Sequence, residues 1–206
     1  MRAIETIKAG EKVIATNPDT HQTEEKVNLD HVLLKSKMKE IAFMIELRLL
    51  DDSDIPLVES WLNKEHVKKW YEVPELGITI DDWILEIKDR KGEFQWITYF
   101  IVLWEGCPIG LCLCYKCEDS KDENFGTLPL IGSYGIDYFI GEESQLGKGL
   151  GKKMISLLVD IIFSFPNAQR VTADIDKDNK ASKKALLACG FTLLDAVGNR
   201  YVMIRN

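Results

Sequence analysis

The stretch Gln145-Leu146-Gly147-Lys148-Gly149-Leu150-Gly151-Lys152 is the part of this chain that decides its fold. A strand-like apolar run from Tyr134 to Ile140 precedes it, and a helix-like run from Lys152 to Phe163 follows. A glycine-rich turn between a strand and a helix lets backbone N–H groups approach phosphate oxygens closely. The helix N-terminus adds unpaired donors and a favourable dipole. The stretch therefore predicts an enzyme that holds a phosphate-bearing cofactor.

Three kinds of phosphate loop are candidates for this stretch. A Walker P-loop requires G-x-x-x-x-G-K-[ST], and the sequence does not contain that spacing. A dinucleotide fingerprint requires G-x-G-x-x-G early in a βαβ unit, whereas the glycines here read G-x-G-x-G late in the chain. The run from Leu146 to Gly151 resembles the third kind, the [R/Q]-x-x-G-x-[G/A] coenzyme A loop of the GCN5-related N-acetyltransferases (GNAT), with Gln145 displaced by one residue. An ordinary glycine-rich turn is the structural alternative.

The bulk composition is that of one globular domain. The chain has 206 residues, of which 46% are hydrophobic and 29% charged, enough for a core without disulfides. No apolar run approaches the ~20 residues of a membrane span, and the N-terminal residues lack the apolar core of a signal peptide, so we expect a cytoplasmic protein. The net charge of −7 disfavours nucleic acid and anionic membranes as partners and favours a cationic substrate.

The five cysteines do not form a metal-site pattern, and we expect no bound metal. Neither a second C-x-x-C pair nor a close histidine completes a zinc site. Cys112 and Cys114 lie two apart in an apolar strand, so they share a face and are expected to be buried thiols. Reduced cysteines agree with a cytoplasmic location.

The order of the elements indicates the fold class. Hydrophobic periodicity and capping residues predict β-α-α-β-β-β-α-β-α-β-β over residues 44–206, an α/β domain. The predicted strands are Ile45–Leu49, Gln95–Trp104, Cys107–Cys117, Ser133–Ile140, Arg170–Asp176, Thr192–Ala196 and Arg200–Ile204. The predicted helices are one that carries Leu57, Val58, Trp61 and Leu62, then Ile80–Arg90, Lys152–Phe163 and Asn179–Ala188.

Residues 1–43 are predicted to be an N-terminal extension of unknown role, either a family-specific extension or a leader, and the sequence assigns them no chemistry. Short strands are expected at Lys12–Ala15 and Glu25–Val27, and a helix from Asp30 to Lys39.

A second motif strengthens the resemblance to the GNAT superfamily. Asn179 and the run from Ala185 to Phe191 resemble its N-x-x-A-x-x-x-Y-x-x-x-G-F helix, with Ser182 in place of the usual alanine. The resemblance covers residues 45–206. It implies the GNAT fold, a mixed central sheet of about six to seven strands flanked by about four helices, and acetyl-CoA (coenzyme A) as cofactor.

Within the superfamily, several runs look like the aminoglycoside 6'-N-acetyltransferases. These runs are Trp61–Tyr71, Tyr134–Asp137, Ser144–Gly151, Phe163–Pro166 and Thr172–Asp174. The resemblance implies acetyl transfer from acetyl-CoA to an amino group, the 6' group, of an aminoglycoside antibiotic, which confers resistance. Direct transfer by a monomer or homodimer is expected.

The resemblance also implies roles for individual residues. Asp137 lies on the strand entering the cofactor site and is expected to accept a proton from the substrate ammonium or to orient it; a strand aspartate that caps a loop is the alternative. The substrate-binding residues are expected to be Trp70 and Tyr71, as an aromatic wall, with Asp137 and Asp174. The expected cofactor-binding residues are Tyr138, Phe139, Ile140, Gln145, Leu146, Gly147, Lys148, Gly149, Leu150, Gly151, Lys152 and Asn179.

Three acidic residues, Asp174, Asp176 and Asp178, alternate and would share one face of a strand. A calcium loop would require glycine and glutamate where Asn179 and Ala185 stand, so calcium is excluded.

The acidic loop at Glu118, Asp119, Asp122 and Glu123 would lie at the substrate rim or simply be solvated. His66 and Trp70 are one helical turn apart, which suits packing as well as substrate contact.

The chain departs from the family pattern in two places. Leu186 stands where the family has the helix tyrosine that protonates the departing thiolate, so Tyr115, Tyr134, Tyr138 or water would have to serve. Residues 124–129 replace a tryptophan-rich acidic segment of the resembled enzymes.

Because of these two departures, two other functions are considered. One is acylation of a lysine or hydroxylamine derivative in siderophore assembly, and the other is a catalytically silent acyl-CoA-binding module.

Overall fold

The computed structural model describes residues 45–120, 125–194 and 199–205, together with two short strands nearer the N-terminus. The chain divides into two compact units, Met1–Met44 and Ile45–Asn206.

The first unit contains an antiparallel pair of strands. Strand β1 (Val13–Thr16) pairs with β2 (Thr23–Lys26). These strands lie within two residues of the two short strands expected from the sequence. The helix expected from Asp30 to Lys39 falls outside the described residues.

The second unit is built on a seven-stranded sheet with the order β3-β4-β5-β6-β7-β9-β8. Strands β6 and β7 are parallel, and the other neighbours are antiparallel, which confirms the mixed sheet expected from the sequence. The strands are β3 (Ile45–Leu49), β4 (Ile97–Trp104), β5 (Cys107–Lys116), β6 (Ser133–Ile140), β7 (Arg170–Asp174), β8 (Thr192–Leu193) and β9 (Arg200–Ile204).

Five α-helices flank the sheet within the described residues. They are α1 (Ile55–Leu62), α2 (Glu65–Tyr71), α3 (Ile80–Lys88), α4 (Leu150–Phe163) and α5 (Lys180–Ala188). The sequence analysis predicted four of them and missed α2 as a separate element. Lys64 takes an extended conformation (φ −72°, ψ 135°), so α1 ends and α2 begins anew after a two-residue break.

The sheet buries both of its faces, because helices pack on each side. Helices α1–α3 cover the face that includes Leu111 and Leu113, and α4 and α5 cover the face that includes Cys112 and Cys114. This alternation follows from the two-residue period of a strand. It confirms that Cys112 and Cys114 are buried on one face.

The parallel strands β6 and β7 separate part-way along their length. Residues Ser133–Gly135 of β6 pair with Arg170–Thr172 of β7, and the pairing ends there. Strand β6 stays paired with β5 as far as Ile140. The backbone of residues 136–140 therefore faces a gap on the β7 side. This separation opens the sheet at the position of the candidate site.

Several predicted boundaries were wrong by one to three residues, including three that follow β6 along the chain. The strand expected over Arg170–Asp176 ends at Asp174, because the Asp178 N–H donates to Asp176 Oδ1 at 2.7 Å and turns the chain. Asp176 and Asp178 therefore do not share a strand face with Asp174. Helix α4 begins at Leu150, two residues early, after Gly149 in a left-handed conformation. Strand β8 ends at Leu193, short of Ala196; residues 195–198 are not described.

Candidate active site

A cavity of about 560 Å³ lies in the gap between β6 and β7. Its walls come from α2, from the end of β6, from the glycine-rich loop before α4, from the end of β7, and from the first turns of α5. We call this cavity the cleft. It is formed by segments more than 100 residues apart in the sequence, from His66 to Ala188.

The cleft brings together nearly all of the residues that the sequence singled out. Among the expected cofactor- and substrate-binding residues Lys148 is the exception; its side chain reaches Gln145, with Nζ 3.1 Å from Oε1. Glu118 of the acidic loop, expected at the substrate rim, lines a different cavity. The expected residues that line the cleft are Trp70, Tyr71, Asp137, Tyr138, Phe139, Ile140, Gln145, Leu146, Gly147, Gly149, Leu150, Gly151, Lys152, Asp174 and Asn179.

The glycine-rich loop has the shape and the donors that a phosphate requires. Gly147 and Gly149 have φ values of 74° and 75°, which glycine tolerates best. A Cβ atom at Gly147, Gly149 or Gly151 would meet no heavy atom of the described residues within 4 Å, so packing against the protein does not explain these glycines. The loop leads into the N-terminus of the 14-residue helix α4, where backbone N–H groups and the helix dipole favour an anion.

Helix α1 and the break before α2 fix the segment between β6 and the loop. Trp61 Nε1 donates to Glu142 Oε1 at 2.6 Å, and Lys64 Nζ donates to the Gly141 carbonyl at 3.1 Å. The hydrogen bond from Trp61, together with Lys64, lowers the pKa of Glu142. A Cβ atom on Gly141 would lie 2.2 Å from the Trp61 ring. Glycine is therefore required here by close packing.

His66 contacts the backbone of β6 from α2. Its Nε2 lies 3.1 Å from the Ile140 carbonyl oxygen. Because a carbonyl can only accept, Nε2 is the donor in this hydrogen bond. His66 thus holds the end of β6 and also lines the cleft.

Asp137 is the titratable group best suited to accept a proton in the cleft. Burial raises its pKa to about 6, against the hydrogen bonds from Tyr71 and the Tyr138 N–H, and the charge of Asp174 raises it further. Tyr71 Oη donates to Oδ1 at 2.7 Å, and the Tyr138 N–H donates to the same oxygen at 2.6 Å. A carboxylate with this pKa is mostly ionised near neutral pH and still a useful base.

Tyr71 is part of an aromatic cluster with Trp83 and Phe139 that the sequence did not reveal. Besides lining the cleft, it is only 8% exposed and packs edge-on against Trp83 and Phe139, with ring centroids at 5.1 and 5.3 Å. Burial raises the pKa of Tyr71, so the phenol keeps its proton and donates a hydrogen bond to Asp137. Trp70, by contrast, is half-buried at the cleft, with Lys69 Nζ 4.8 Å from its ring.

Asp174 lies at the cleft as expected, but its charge is paired. Arg200 binds it with both arms of the guanidinium, Nε to Oδ1 at 2.8 Å and one terminal nitrogen to Oδ2 at 2.5 Å. Strand register makes the pair, because Asp174 faces Arg200 across β7 and β9. Sequence analysis missed Arg200, since register between distant strands is not readable from either strand alone.

Glu86 is a second residue, after Arg200, that sequence analysis missed. It is partly buried on α3, and burial followed by the charge of Asp137 raises its pKa. The available signal was its position three residues after Trp83, which places both on the same face of the helix. Glu86 does not line the cleft, but its charge is close enough to Asp137 for the two carboxyl groups to raise the cost of ionising each other.

Comparison with known proteins identifies the family. A sequence model described as the acetyltransferase (GNAT) domain matches residues 51–198, a range that contains every cleft-lining residue. The chain belongs to the GNAT acetyltransferase family. Two similar proteins are the aminoglycoside N(6')-acetyltransferases type 1 of Klebsiella pneumoniae and Serratia marcescens. Each is 29% identical over 147 residues, which cover 71% of this chain and 73% of the relative.

Solved structures of GNAT proteins agree with this assignment. The aminoglycoside acetyltransferase AAC(6')-Ib in complex with coenzyme A is 27% identical, with a TM-score of 0.66 over 79% of this chain and 95% of that one. Its complex with coenzyme A and kanamycin gives 26% identity and a TM-score of 0.65, with the same coverage.

As a GNAT enzyme, this protein is an acetyl-CoA-dependent N-acetyltransferase. The glycine loop fits the cofactor, because it offers backbone donors and room where side chains would obstruct a pyrophosphate. When bound, acetyl-CoA supplies an activated acetyl thioester. Within the described residues, no group of three His, Cys, Asp or Glu is arranged to hold a metal, and no helix there is long and apolar enough to cross a membrane.

Proposed function

We propose that this GNAT enzyme acetylates the 6' amino group of an aminoglycoside antibiotic and thereby confers resistance. The observation that carries the proposal is Asp137, a half-buried carboxyl at the cleft whose pKa of about 6 suits a base for an ammonium substrate. The carboxyl groups of Asp137 and Asp174 at the cleft and the net charge of −7 favour a polycation. The names of the relatives and the kanamycin complex of AAC(6')-Ib support the same substrate class.

In this proposal, Asp137 takes a proton from the substrate ammonium. Both of its described hydrogen bonds end on Oδ1, so Oδ2 is the oxygen assigned to the substrate. Trp70 and Tyr71 form the aromatic wall, and Asp174 contributes negative charge beside Arg200. All five cysteines are among the described residues and none lines the cleft, which favours direct transfer over an acyl-enzyme.

The cofactor residues follow from the same arrangement. The backbone from Gln145 to Lys152 would hold the pyrophosphate, and that of Tyr138 to Ile140 the pantetheine arm, because this part of β6 faces the gap. Asn179 caps α5, with Oδ1 accepting from the Ser182 N–H at 3.1 Å. Its amide NH₂ group is the donor that would reach the pantetheine.

We also propose that residues 44–206 form the acetyltransferase domain and that residues 1–43 are an extension that takes no part in catalysis. The division into compact units after Met44 supports this. A chain that begins at Met44 should keep the acetyl-transfer activity of the full chain; loss of activity with intact folding would contradict the division.

The experiment that tests the substrate is a thiol-release assay with acetyl-CoA. Kanamycin and tobramycin are compared with a lysine derivative, a hydroxylamine derivative and a peptide amine. We expect turnover of the two aminoglycosides, with the acetyl group on the 6' nitrogen by NMR of the product. Turnover of the lysine or hydroxylamine derivative alone would move the protein to the siderophore type.

A further inference from the structure

The tyrosine that serves the family as thiolate donor is missing from this chain. Leu186 stands in its place and has no polar hydrogen to donate. Leu186 is fully buried in the core beneath α5 and does not line the cleft. Of the three tyrosines that the sequence offered, Tyr115 packs against Trp96, and Tyr134 packs against Phe165 at a different cavity. Tyr138 is the one that lines the cleft.

Tyr138 is paired with the other unusual residue of the motif. Its Oη lies 2.6 Å from Oγ of Ser182, the serine that stands where the family has alanine. Ser182 lies in the first turn of α5, and its N–H is fixed by the Asn179 cap. The two departures, Leu186 for tyrosine and Ser182 for alanine, therefore meet at one hydroxyl pair.

The position of Tyr138 suits a group that acts on the acyl donor. Asp137 and Tyr138 are neighbours on β6, so their side chains lie on opposite faces of the sheet. Because β6 has separated from β7 at this point, both residues nevertheless border the cleft. The base and the hydroxyl pair thus flank one gap from its two sides.

We propose that Tyr138 donates a hydrogen bond to the sulfur of acetyl-CoA as the acetyl group leaves, and that Ser182 directs it. A phenol carries one proton, so the Ser182 hydroxyl must donate to Tyr138 Oη if the tyrosine proton is to face the cleft. Tyr138 is then a catalytic residue and Ser182 a positioning residue. This role rests on the proposed placement of acetyl-CoA in the cleft, and applies to any amine acceptor.

The proton balance agrees with hydrogen bonding rather than proton donation. Burial raises the pKa of Tyr138, although the bond with Ser182 opposes the shift, so the tyrosine keeps its proton at neutral pH. As the amine nitrogen bonds to the acetyl carbon, the bond from that carbon to sulfur breaks and its electron pair stays on sulfur. The proton that Asp137 took from the ammonium passes to solvent, and the second proton that the nitrogen releases as the amide forms leaves by the same route. The sulfur takes one proton from solvent.

The first test is the single-turnover rate of Tyr138→Phe, which excludes product release from the measurement. The amine is whichever acceptor of the panel the wild type uses fastest, so an error in the proposed substrate does not affect the outcome. We expect the rate to fall about 10- to 100-fold, as for the loss of a hydrogen bond to a developing charge. Tyr134→Phe, on the same strand but outside the cleft, should keep the wild-type rate.

The second test separates positioning from structure at Ser182. Ser182→Ala restores the family's usual residue and should lower kcat about 3- to 10-fold, with the KM for acetyl-CoA unchanged. Ser182→Thr keeps the hydroxyl and should recover most of the lost kcat. Equal loss in both variants would overturn the role of Ser182.

The third test uses binding instead of activity. Calorimetry with the wild type first measures whether acetyl-CoA binds, and a loss of affinity in Gly149→Val places it at the glycine loop. Coenzyme A should then gain affinity relative to acetyl-CoA as the pH rises from about 7 to 10, because its alkyl thiol ionises towards the upper end of this range and the thiolate accepts the Tyr138 hydrogen bond. Tyr138→Phe should lose that gain. A wild-type single-turnover rate or an unchanged gain in Tyr138→Phe would overturn the proposal.

Discussion

The hydroxyl of Tyr71 donates a hydrogen bond of 2.7 Å to Oδ1 of Asp137, a residue 66 positions later in the chain. Tyr71 ends α2 and Asp137 lies on β6, so the bond connects the helical layer to the sheet at the cleft. It holds the carboxylate by one oxygen. It also opposes the upward shift that burial imposes on the pKa of Asp137.

Removing this bond should move the pH dependence of catalysis. In Tyr71→Phe the charged form of Asp137 loses a donor, so its pKa should rise from about 6 by about one unit. The acid limb of the kcat–pH profile then moves to higher pH, and the rate falls more at pH 6 than at pH 8. Comparing variant and wild type with the same amine cancels the ionisation of the substrate. An unshifted acid limb would show that Asp137 is not the titrating base.

Asp137→Asn tests charge separately from shape. Both described hydrogen bonds to Asp137 end on Oδ1, and an asparagine carbonyl oxygen can accept both. We expect kcat to fall ~10²- to 10⁴-fold, the range for loss of a general base, while calorimetry shows unchanged acetyl-CoA affinity. A wild-type rate with aminoglycosides would exclude both the base and the ammonium anchor.

The same variant should be more stable than the wild type at neutral pH. The folded pKa of about 6 lies above the ordinary 3.8, so the folded state binds the proton more tightly than the unfolded state. Stability therefore falls as the pH rises from about 4 to 6, by at most about 3 kcal/mol. Asp137→Asn removes this loss, and urea unfolding should show its advantage at pH 8 and little of it near pH 4. Equal unfolding free energies at pH 8 would contradict the burial of the charge.

Cofactor affinity should depend on the glycine loop itself. Gly149→Val places a side chain in the path of the pyrophosphate and should weaken acetyl-CoA binding by at least about tenfold, or one 1.4 kcal/mol step. Gly77→Val is the matched control, because Gly77 has a similar φ of 69° and open surroundings. Both variants bear comparable backbone strain, so calorimetry isolates the effect of the loop. Unchanged affinity in a folded Gly149→Val variant would rule out this phosphate site.

Substrate affinity should be electrostatic. Raising salt to ~0.5 M should raise the KM for kanamycin several-fold and that for acetyl-CoA less, because screening weakens exposed charge pairs more than enclosed contacts.

Asp174→Asn should raise the aminoglycoside KM selectively, since it removes a carboxylate and leaves Arg200 without that counter-charge at the cleft. It should also lower the pKa of Asp137, because the charge of Asp174 raises it. A KM independent of both salt and Asp174 would argue against a polycation.

Local sequence patterns were sufficient for much of this fold. The positive φ angles at Gly147 and Gly149 and the strand alternation at Cys112 and Cys114 depend on neighbouring residues alone. A strand followed by a glycine turn and a helix also indicates where a phosphate can bind, so the pattern alone predicts a phosphate-bearing cofactor. The role of Asp137 came only from the resemblance to the GNAT enzymes.

Only the tertiary structure decided what these residues do to one another. The hydrogen bond from Tyr71 to Asp137, the pairing of Arg200 with Asp174, and the contact between Tyr138 and Ser182 each join separate elements. Strand register and the separation of β6 from β7 set these distances, and both arise from packing across the whole sheet. Periodicity along the chain carries the direction of a side chain but not the identity of its distant partner, so the sequence determined the site and the fold determined its electrostatics.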